Sequence, residues 1–528
     1  MSAKVQTERR PLPIGIQTFS VLREEGCYYV DKTSLIRELV RGGRHYFLSR
    51  PRRFGKSLLV DTLKELFEGN EPLFRGLDIH PHWDWSVRHP VVRLSFGGGS
   101  YDQPGSLESS LLNQMNIIER RAGLSSGAEL LSGPEKLQDL LDRLHHDTGK
   151  RVVVLVDEYD KPVLDVIDQP DMAVANRKYL RGIYGTVKDC ANDVRFVFVT
   201  GVSMFTKTSL FSEMNNLKGI SMDPRYATIC GYTETDLNTV FAPELPGLNP
   251  EEIRRWYNGY HWRGSEKVYN PYDVLLLFDE REFKPHWFET GSPEFLYRLL
   301  TERNMSPMQL ENLVTDEELV SRFDVKDIRV DSLLFQTGYL TIAGEDRRSD
   351  HVQYRLDYPN YEVRRSFNKG LLEHFARHRI NAVRHGEELA RLLGENDFAG
   401  FAVKFRSFLA RVPYPWHDSG GLGRYESWYA SMLYMGFRAT GVGLEVEPMS
   451  SRGRADMAVF HGGQVFVFEF KVAEDGSRVK DALDRAIAQI REKDYAEQYR
   501  DRGEPIHLVG MVFVPDKRNL LEIRAELL

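Results

Sequence analysis

The sequence predicts an α/β protein in which an N-terminal parallel sheet precedes a helical lid, a winged-helix element and a C-terminal α/β domain. Short β-rich apolar runs alternate with longer amphipathic stretches over residues 1–234, the rhythm of a parallel sheet. Near the C-terminus, a Gly-Gly pair separates two apolar runs, which is typical of a hairpin. The 528 residues also exceed what one hydrophobic core fills.

The composition, 41% hydrophobic and 28% charged, is that of an ordinary globular chain of two or three domains. The net charge of −7 argues against a surface that binds nucleic acid everywhere, but leaves room for a local basic groove. Four segments are predicted: a parallel-sheet domain at 1–234, a helical lid at 235–324, a winged helix and helical linker at 325–418, and an α/β domain at 419–528.

Three further features concern location and redox chemistry. No stretch approaches the roughly 18 apolar residues that span a bilayer, and the first residues lack the apolar core of a secretory signal. We therefore expect a cytoplasmic protein with no membrane partner. Cys27, Cys190 and Cys230 show no CxxC spacing, which argues against zinc or disulfides and favours buried, inert thiols.

The first element to carry chemistry lies in HYFLSRPRRFGKSLLVDTLKELF, an apolar strand, a loop ending in Gly55-Lys56-Ser57, and a helix. This order is typical of a P-loop NTPase. Backbone N–H groups at the helix start would hold phosphate oxygens, Lys56 would reach the terminal phosphates of ATP, and Ser57 would ligate Mg²⁺. The predicted ATP-contacting residues are Arg50, Pro51, Arg52, Arg53, Phe54, Gly55, Lys56, Ser57, Leu58, Asp157 and Thr200.

Arg50 departs from the general motif GxxxxGK[ST], which has glycine at that position. The loop must then open without a positive φ at residue 50. Arg52 and Arg53 offset this by adding positive charge near the phosphates.

The run RVVVLVDEY is fit for a buried central strand and ends in Asp157 and Glu158. Asp157 would hold the magnesium shell, and Glu158 would polarise the attacking water in phosphoryl transfer. The next strand, RFVFVTGVS, ends in Thr200 and Ser203, whose hydroxyls would sense the γ-phosphate. The alternative is that FGKS is an ordinary helix start and DEYD an exposed turn.

The middle of the chain offers fewer signals. Strand-like runs thin out over 235–324, where helical spacing and aromatic-rich turns predict a helical lid. SLLFQTGYLTI followed by HVQYRL predicts a helix and a two-stranded wing. Residues 364–418 are helical and rich in Arg and His, and VPYPWHDSGGLG ends them before a new domain near Tyr425.

The segment GRADMAVFHGGQVFVFEFKV predicts a hairpin turning at Gly462-Gly463, because a type I′ turn requires two positive φ angles. Counting outward places Asp456 opposite Glu469 on one face. Opposed like charges destabilise a sheet pair unless a cation lies between them. Lys471 shares the face of Glu469, whereas Phe466, Phe468 and Phe470 point to the other side.

Two carboxylates and a lysine on one sheet face are suited to bind Mg²⁺ through Asp456 and Glu469, activate a water and neutralise a scissile phosphate. Mn²⁺ would serve as an alternative metal. A register shifted by one residue would turn Asp456 to the wrong face. The alternative is a solvated sheet face carrying a Glu/Lys ion pair.

Two flanking helices supply supporting candidates. RYESWYASMLYMGF reads as an amphipathic helix with Glu426 near its N-terminus, able to approach the metal. The alternative for Glu426 is a favourable charge at a helix start. DALDRAIAQIREKDY predicts a second helix carrying Gln489 and Tyr495, which would touch the metal-bound water or the nucleic-acid backbone.

Two resemblances follow from these motifs. RPRRFGKS, VLVDEYDKPV and FVTGVS, within residues 12–221, resemble the AAA-ATPase-like family of bacterial and archaeal proteins, P-loop ATPases with an extra central strand. In that family the Arg50 position is normal. Residues 420–515 resemble the PD-(D/E)xK nuclease superfamily, of restriction-endonuclease-like fold, in the branch that usually trails this ATPase domain.

The resemblance implies a bacterial or archaeal enzyme with ATP and Mg²⁺ at the first site and a metal-dependent nuclease at the second. Glu426 and Gln489 match the flanking helix positions of the nuclease pattern. Our first hypothesis is an ATP-regulated nuclease acting on DNA or RNA, in defence or nucleic-acid processing. The alternatives are a nucleotide-gated switch that binds nucleic acid without cutting, and an assembly protein with vestigial sites. The sequence is also compatible with a homo-oligomer.

Overall fold

A computed structural model gives the fold of the protein. It describes residues 8–125, 131–204, 216–290, 293–303, 305–316, 323–324, 327–348, 351–376, 381–411, 426–447, 449–450, 453–473, 476–514 and 519–528. The predicted break at 412–423 and the predicted domain start near Tyr425 lie outside these residues.

The chain groups into two compact units. Unit 1 contains residues 1–287 and 314–360, and unit 2 contains residues 288–313 and 361–528. The four segments predicted from the sequence stay a prediction, because compactness alone assigns neither a lid nor a winged helix.

Unit 1 is built on a parallel five-stranded sheet with the order β2-β3-β4-β1-β5, and every neighbouring pair is parallel. The strand β4 lies between β1 and β3, so the extra central strand implied by the resemblance is present. The strands are β1 (His45–Ser49), β2 (Val91–Ser95), β3 (Val152–Asp157), β4 (Val194–Gly201) and β5 (Lys218–Gly219).

Sequence and structure agree on this sheet for a physical reason. All six residues of β3 are buried, as are seven of the eight in β4, because helices cover the sheet on its faces. Continuous apolar runs such as VVVLV therefore mark central strands. The helices of this part are α1 (Phe19–Glu24), α2 (Thr33–Gly42), α3 (Lys56–Phe67), α4 (Ser106–Arg121), α5 (Gly133–Thr148), α6 (Lys161–Leu164) and α7 (Pro170–Asp189).

The remainder of unit 1 is a mixture of short helices and strands. A helix followed by an antiparallel hairpin stands where the sequence predicts a helix and a wing. The elements are α8 (Glu234–Thr239), α9 (Pro250–Tyr257), β6 (Asn258–Tyr260), β7 (Val268–Tyr269), α10 (Pro271–Glu280), β9 (Phe323–Asp324), β10 (Asp327–Ile328), α12 (Val330–Thr337), β11 (Thr341–Arg348) and β12 (His351–Asp357); α11 (Glu294–Glu302) belongs to unit 2, and β8 (Leu313–Thr315) spans the boundary.

Unit 2 contains a mixed sheet with the order β13-β16-β17-β18-β19, in which β17 and β18 are parallel and the other pairs antiparallel. The predicted hairpin is present: His461 pairs with Gln464 and Met457 with Phe468. Its strands and their neighbours are β13 (Gly443–Val446), β14 (Met449–Ser450), β15 (Gly453–Arg454), β16 (Met457–His461), β17 (Gln464–Val472), β18 (Ile506–Val514) and β19 (Asn519–Leu527).

Helices α13 (Tyr361–Phe375), α14 (Ala382–Gly394), α15 (Phe398–Leu409), α16 (Glu426–Thr440) and α17 (Val479–Glu492) complete unit 2. Two expectations about them were wrong. The helix α16 is not amphipathic: residues 428–439 are all buried, because α13, α14 and β17 pack around it. Tyr495 lies beyond α17, because the chain turns at Asp494, whose φ is +52°.

Two whole-chain expectations can be compared with the structure. Cys27, Cys190 and Cys230 are all buried and free. Among the residues described, no helix is long and apolar enough to cross a membrane.

Candidate functional site

The loop between β1 and α3 has the backbone shape that a phosphate-binding loop needs. Gly55, the residue before α3, has a φ of +85°, and Arg53 has a φ of +67°. Glycine adopts this left-handed conformation without penalty, whereas arginine does so only when its surroundings hold it there. The helix α3 then begins at Lys56, with Ser57 half-buried in its first turn.

Lys56 is buried, and its ammonium group is bound to the loop itself. The Nζ atom donates to the carbonyl oxygens of Arg50 at 3.0 Å and Pro51 at 2.9 Å. Burial lowers the pKa of Lys56, opposed by the nearby charges of Asp157 and Glu158. The lysine is thus held inside the loop, next to the two acids that end β3.

The side chain of Arg50 is 1% exposed and anchors the loop through contacts inside the protein. Its guanidinium donates to the carbonyl oxygens of Ser49 at 2.9 Å, Ser221 at 3.0 Å and Tyr226 at 3.2 Å. It also lies 4.0 Å from the ring centroid of Trp262, a cation–π contact. Burial lowers the pKa of Arg50 to about 10. The predicted ATP-contacting Arg50 therefore contacts protein carbonyls in this structure.

The other loop side chains divide into buried and exposed ones. Pro51 and Phe54 are buried, and the Phe54 ring packs edge-on against Tyr260. Arg52 and Arg53 are exposed, and the guanidinium of Arg53 lies 4.9 Å from the ring centroid of Tyr272. Leu58 is half-buried in α3. Only Arg52 and Arg53 in the loop thus combine positive charge with solvent access.

Asp157 ends β3 and is buried at 2% exposure. The hydroxyl of Thr200, from the neighbouring strand β4, donates to its Oδ1 atom at 2.7 Å. Thr200 is itself fully buried. Its hydroxyl therefore orients the carboxylate of Asp157, which is the acid that the sequence places in the magnesium shell.

Glu158 has a φ of +55°, which is uncommon for a residue with a side chain. Burial raises the pKa of Glu158, while the charge of Lys56 lowers it. Gly97, after β2, leaves room for this carboxylate: a Cβ atom there would meet Glu158 Oε2 at 3.0 Å. Strain at this residue and a glycine opposite it are features that active sites often show.

Asp160 was missed by the sequence reasoning. Its buried Oδ2 atom accepts from the backbone nitrogens of Val202 at 3.0 Å and Ser203 at 2.6 Å, and from the Ser203 hydroxyl at 2.7 Å. The carboxylate thus ties the end of β3 to the end of β4, and it occupies the Ser203 hydroxyl. The available signal was a third acid close behind the buried strand β3, three residues beyond Asp157.

The second site lies on β17 and beside the start of β16 in unit 2. Asp456 immediately precedes β16, and its Oδ2 atom accepts from the backbone nitrogen of Phe470 at 2.8 Å. The paired residues of the hairpin end at Met457 and Phe468, so the predicted pairing of Asp456 with Glu469 lies one step beyond them. Burial raises the pKa of Asp456.

Glu469 is 2% exposed on β17 and makes contacts through one oxygen only. Its Oε1 atom accepts from Lys471 Nζ at 2.8 Å and from the side-chain nitrogen of Gln489. Its Oε2 atom is buried without a hydrogen-bond partner among the described residues. Burial, followed by the charge of Asp456, raises the pKa of Glu469.

The flanking residues lie around this pair. Lys471 Nζ is also 3.9 Å from Glu426 Oε2, and Glu426 Oε1 accepts from the backbone nitrogen of Val472 at 3.0 Å. Burial alone would lower the pKa of Lys471, but its hydrogen bond to Glu469 and the charges of Glu469, Glu426 and Asp456 together raise it. The Gln489 side chain also lies 3.4 Å from the Tyr495 hydroxyl. The predicted residues are thus brought together.

The unpartnered oxygen of Glu469 makes this set suitable for a divalent cation. A buried carboxylate oxygen costs free energy unless a donor or a cation satisfies it. In the described residues no group of three or more His, Cys, Asp or Glu side chains forms a ready metal cluster. Two carboxylates nevertheless suffice for Mg²⁺, which keeps several water ligands and takes few from protein.

Comparison with known proteins finds a family match at each end of the chain. The family model described as a predicted AAA-ATPase matches residues 13–211, and that of the PD-(D/E)XK nuclease superfamily matches residues 424–523. A protein of Azotobacter chroococcum mcd 1, named "Uncharacterized protein in vnfD 5'region", is 49% identical over 514 residues, which cover 97% of this chain and 98% of that protein.

The fold and the two family matches define a two-part protein, with a P-loop ATPase-type region and a PD-(D/E)XK-type region. The chain belongs to the AAA-ATPase-like family and carries, over residues 424–523, a C-terminal domain of the PD-(D/E)XK nuclease superfamily.

Proposed function

We propose that this protein binds and hydrolyses ATP in unit 1 and hydrolyses nucleic-acid phosphodiester bonds in unit 2, with the nucleotide state regulating cleavage. The observation that carries the nuclease part is the Oε2 atom of Glu469 beside Asp456 and Lys471, which is buried and has no hydrogen-bond partner among the described residues. A solvated Glu/Lys ion pair would leave neither carboxylate oxygen buried and unsatisfied.

In unit 1, residues of the β1–α3 loop and of the ends of β3 and β4 would have separate roles in ATP binding and hydrolysis. Lys56 would turn from the loop carbonyls to the terminal phosphates, and Ser57 and Asp157 would hold Mg²⁺. Thr200 keeps the Asp157 carboxylate oriented. Glu158, with its raised pKa, would orient the attacking water. Arg50 would stabilise the β1–α3 loop through its hydrogen bonds to backbone carbonyls and would not contact phosphate.

In unit 2, Asp456 and Glu469 would hold Mg²⁺ or Mn²⁺, with Glu426 and Gln489 positioning ligands around them. A divalent metal bound by these carboxylates would supply a nucleophilic water at neutral pH and stabilise negative charge on the scissile phosphate. Lys471 would neutralise the scissile phosphate. Attack of water on phosphorus breaks one ester P–O bond and yields a phosphate monoester and a hydroxyl end.

The test is cleavage of labelled DNA and RNA by the purified protein, with Mg²⁺ or Mn²⁺ and with or without ATP. We expect Glu469→Gln to remove metal-dependent cleavage, and Glu492→Gln, an exposed glutamate at the end of α17, to leave it unchanged. Cleavage that persists in Glu469→Gln assigns the activity elsewhere and contradicts the proposed site.

The ATPase part has its own variants. Lys56→Ala is expected to abolish ATP turnover in a folded protein, whereas Lys64→Ala, which removes a half-buried lysine paired with Glu65 and Glu68 on the same helix, should retain it. Unchanged turnover in Lys56→Ala would remove Lys56 from the phosphate site. ATP binding without any cleavage would instead support a nucleotide-gated switch that binds nucleic acid and leaves it intact.

The proposal also includes three properties expected from the sequence: a cytoplasmic location, a bacterial source and a homo-oligomeric state. A defence role against foreign genomes suits a nuclease under nucleotide control.

A further inference from the structure

A cavity of about 310 Å³ opens between α14 and α15 in unit 2. It shares no residue with either of the two sites described above. Its size lies at the lower end of the range for small-molecule pockets. The residues that carry the argument are Arg384, His385, Glu388, Lys404, Phe408 and Arg411.

The cavity is positively charged. Arg384, Lys404 and Arg411 supply three cations against the single carboxylate of Glu388, a net charge of +2 with His385 neutral. Glu388 pairs with Arg384 at 3.3 Å and with Lys404. The cavity also adjoins the N-terminal turn of α14, where the helix dipole favours an anion. The surroundings therefore favour a ligand with negative charge.

His385 gives an independent indication of a ligand. The side chain is 8% exposed, and its ring stacks on Phe408 with a centroid distance of 4.2 Å. Its Nε2 atom is buried and has no hydrogen-bond partner in the part of the chain that the structure describes. Buried polar atoms are almost always satisfied, so an unsatisfied nitrogen on a residue that lines the cavity indicates a missing hydrogen-bond partner.

Burial and the charges of Lys404 and Arg411 lower the pKa of His385 to about 3. The ring is therefore neutral at neutral pH and carries one N–H. Cations that repel the protonated ring attract an anion into the same space. The rings of His385 and Phe408 form an apolar wall of the cavity. A bare inorganic phosphate would leave this wall uncovered, whereas the rest of a nucleotide could cover it.

We propose that this cavity binds the phosphate group of a nucleotide, with Arg384, Lys404 and Arg411 contacting the phosphate and His385 contributing a hydrogen bond. The nucleotide is either a free mononucleotide or the 5′-terminal nucleotide of a strand, because both present the same chemistry. The site goes beyond the proposed function: it needs neither ATP turnover nor cleavage.

The test uses the full chain carrying Lys56→Ala and Glu469→Ala without divalent metal, so that neither proposed site contributes. The probes are fluorescent AMP and a labelled 5′-phosphorylated oligonucleotide, followed by anisotropy. We expect the double variant Lys404→Gln/Arg411→Gln to weaken the binding of at least one probe. The expected loss is about tenfold, which corresponds to the loss of a charge-assisted hydrogen bond. The probe that loses affinity identifies the source of the phosphate.

The matched control is Arg391→Gln, two turns further along α14, where Arg391 pairs with Glu395 outside the cavity. It should bind both probes like the parent. The proposal is overturned if the double variant binds both probes as tightly as the parent, or if the control weakens binding equally.

Two single variants separate ligand binding from a structural role. His385→Phe keeps the ring and removes the unsatisfied nitrogen, so it should weaken binding severalfold without lowering the unfolding temperature. Glu388→Gln removes the carboxylate that competes for Arg384 and Lys404, so binding should tighten. Unchanged affinity in both variants would contradict the proposal.

Discussion

Arg50 stands where the general phosphate-loop motif has glycine, and its side chain is almost completely buried. Three backbone carbonyls and the face of Trp262 surround its guanidinium. A planar group with five donors matches such a set, whereas lysine does not. The departure from the motif is therefore a structural solution in which an arginine side chain, rather than a flexible glycine, fixes the loop.

We predict that Arg50→Gly, which restores the general motif, will destabilise the protein. The change leaves buried carbonyl oxygens unpaired and creates a cavity, for a loss of roughly 3 kcal/mol in the free energy of unfolding. Denaturant unfolding followed by fluorescence measures it. Arg52→Gly, in the same loop but exposed, is the control and should change stability by less than about 0.5 kcal/mol. Equal stability of Arg50→Gly and the parent would refute the structural role.

Asp160 gives a second prediction at the residue scale. Asp160→Ala leaves the backbone nitrogens of Val202 and Ser203 buried without an acceptor, so the free energy of unfolding should fall by about 3 kcal/mol. Thermal unfolding measures the change. Asp165→Ala, which removes a partly exposed ion pair with Lys161, is the control and should have little effect. A shift of the same size in both variants would contradict the argument.

The sequence predicted residues whose partners are near in the chain or follow from a motif. Lys56, Asp157 and Glu158 were predicted as site residues because loop and strand ends are local patterns. The structural role of Arg50 was not predicted, because Ser221 and Tyr226 lie 171 and 176 residues away. No local pattern reports such contacts.

At the scale of elements, the hairpin of β16 and β17 decides the geometry of the candidate metal site. Gly462 and Gly463 have φ angles of +60° and +71°, so a two-residue turn fixes the register. Counting outward from the turn then places Asp456 beside Glu469 and Phe470. The register was predictable because a two-residue loop leaves no freedom in the count.

We predict that Gly462→Val/Gly463→Val will destabilise unit 2 and weaken metal binding together. A β-branched residue at positive φ costs about 1–2 kcal/mol at each position, and relief by slippage would move Asp456 to the other face. Thermal unfolding with and without Mn²⁺ measures both effects. Gly462→Asn is the control, because asparagine tolerates the left-handed conformation. A double variant with the stability and Mn²⁺ response of the parent would refute this account.

The burial of α16 was the failure at this scale. Its sequence has polar residues at intervals, which suggested a solvent-facing side. Ser431 and Arg438 are buried because each finds a partner: Ser431 bonds to Ser306, and Arg438 to Glu311 at 2.6 Å. Polar residues that pair with distant segments imitate an exposed face in the sequence, so periodicity alone could not distinguish the two.

For the whole molecule, the two candidate sites belong to different compact units. Each candidate site is built from its own residues, so ATP should stabilise unit 1 against unfolding and a divalent metal should stabilise unit 2. A ligand that binds only the folded state stabilises it by about 2.7 kcal/mol at 100 times its Kd. Ligand-dependent unfolding can therefore report on the two sites separately, without any measurement of turnover.

We predict that, with Mg²⁺ present throughout, adding ATP raises an unfolding temperature of the parent but not of Lys56→Ala. Mn²⁺ alone should raise an unfolding temperature of the parent and of Lys56→Ala, but not of Glu469→Ala. Differential scanning calorimetry measures both. A Glu469→Ala variant stabilised by Mn²⁺ as much as the parent would place the metal elsewhere.

The division into two units was only partly accessible from the sequence. Motifs identified both ends of the chain because each carries a compact local pattern. The middle lacks one, and residues 288–313 group with unit 2 whereas residues 314–360 group with unit 1. A chain that leaves and re-enters a unit has no compositional boundary to detect.

The order of strands in unit 1 also constrains synthesis on the ribosome. In the described sheet β1 pairs only with β4 and β5, so its neighbours are translated long after it. About 150 residues separate the end of β1 from the end of β4, which corresponds to roughly 8–30 s of elongation at about 5–20 residues per second. During that interval the nascent chain carries an apolar strand without its neighbours, and nascent-chain chaperones would find their binding segment there.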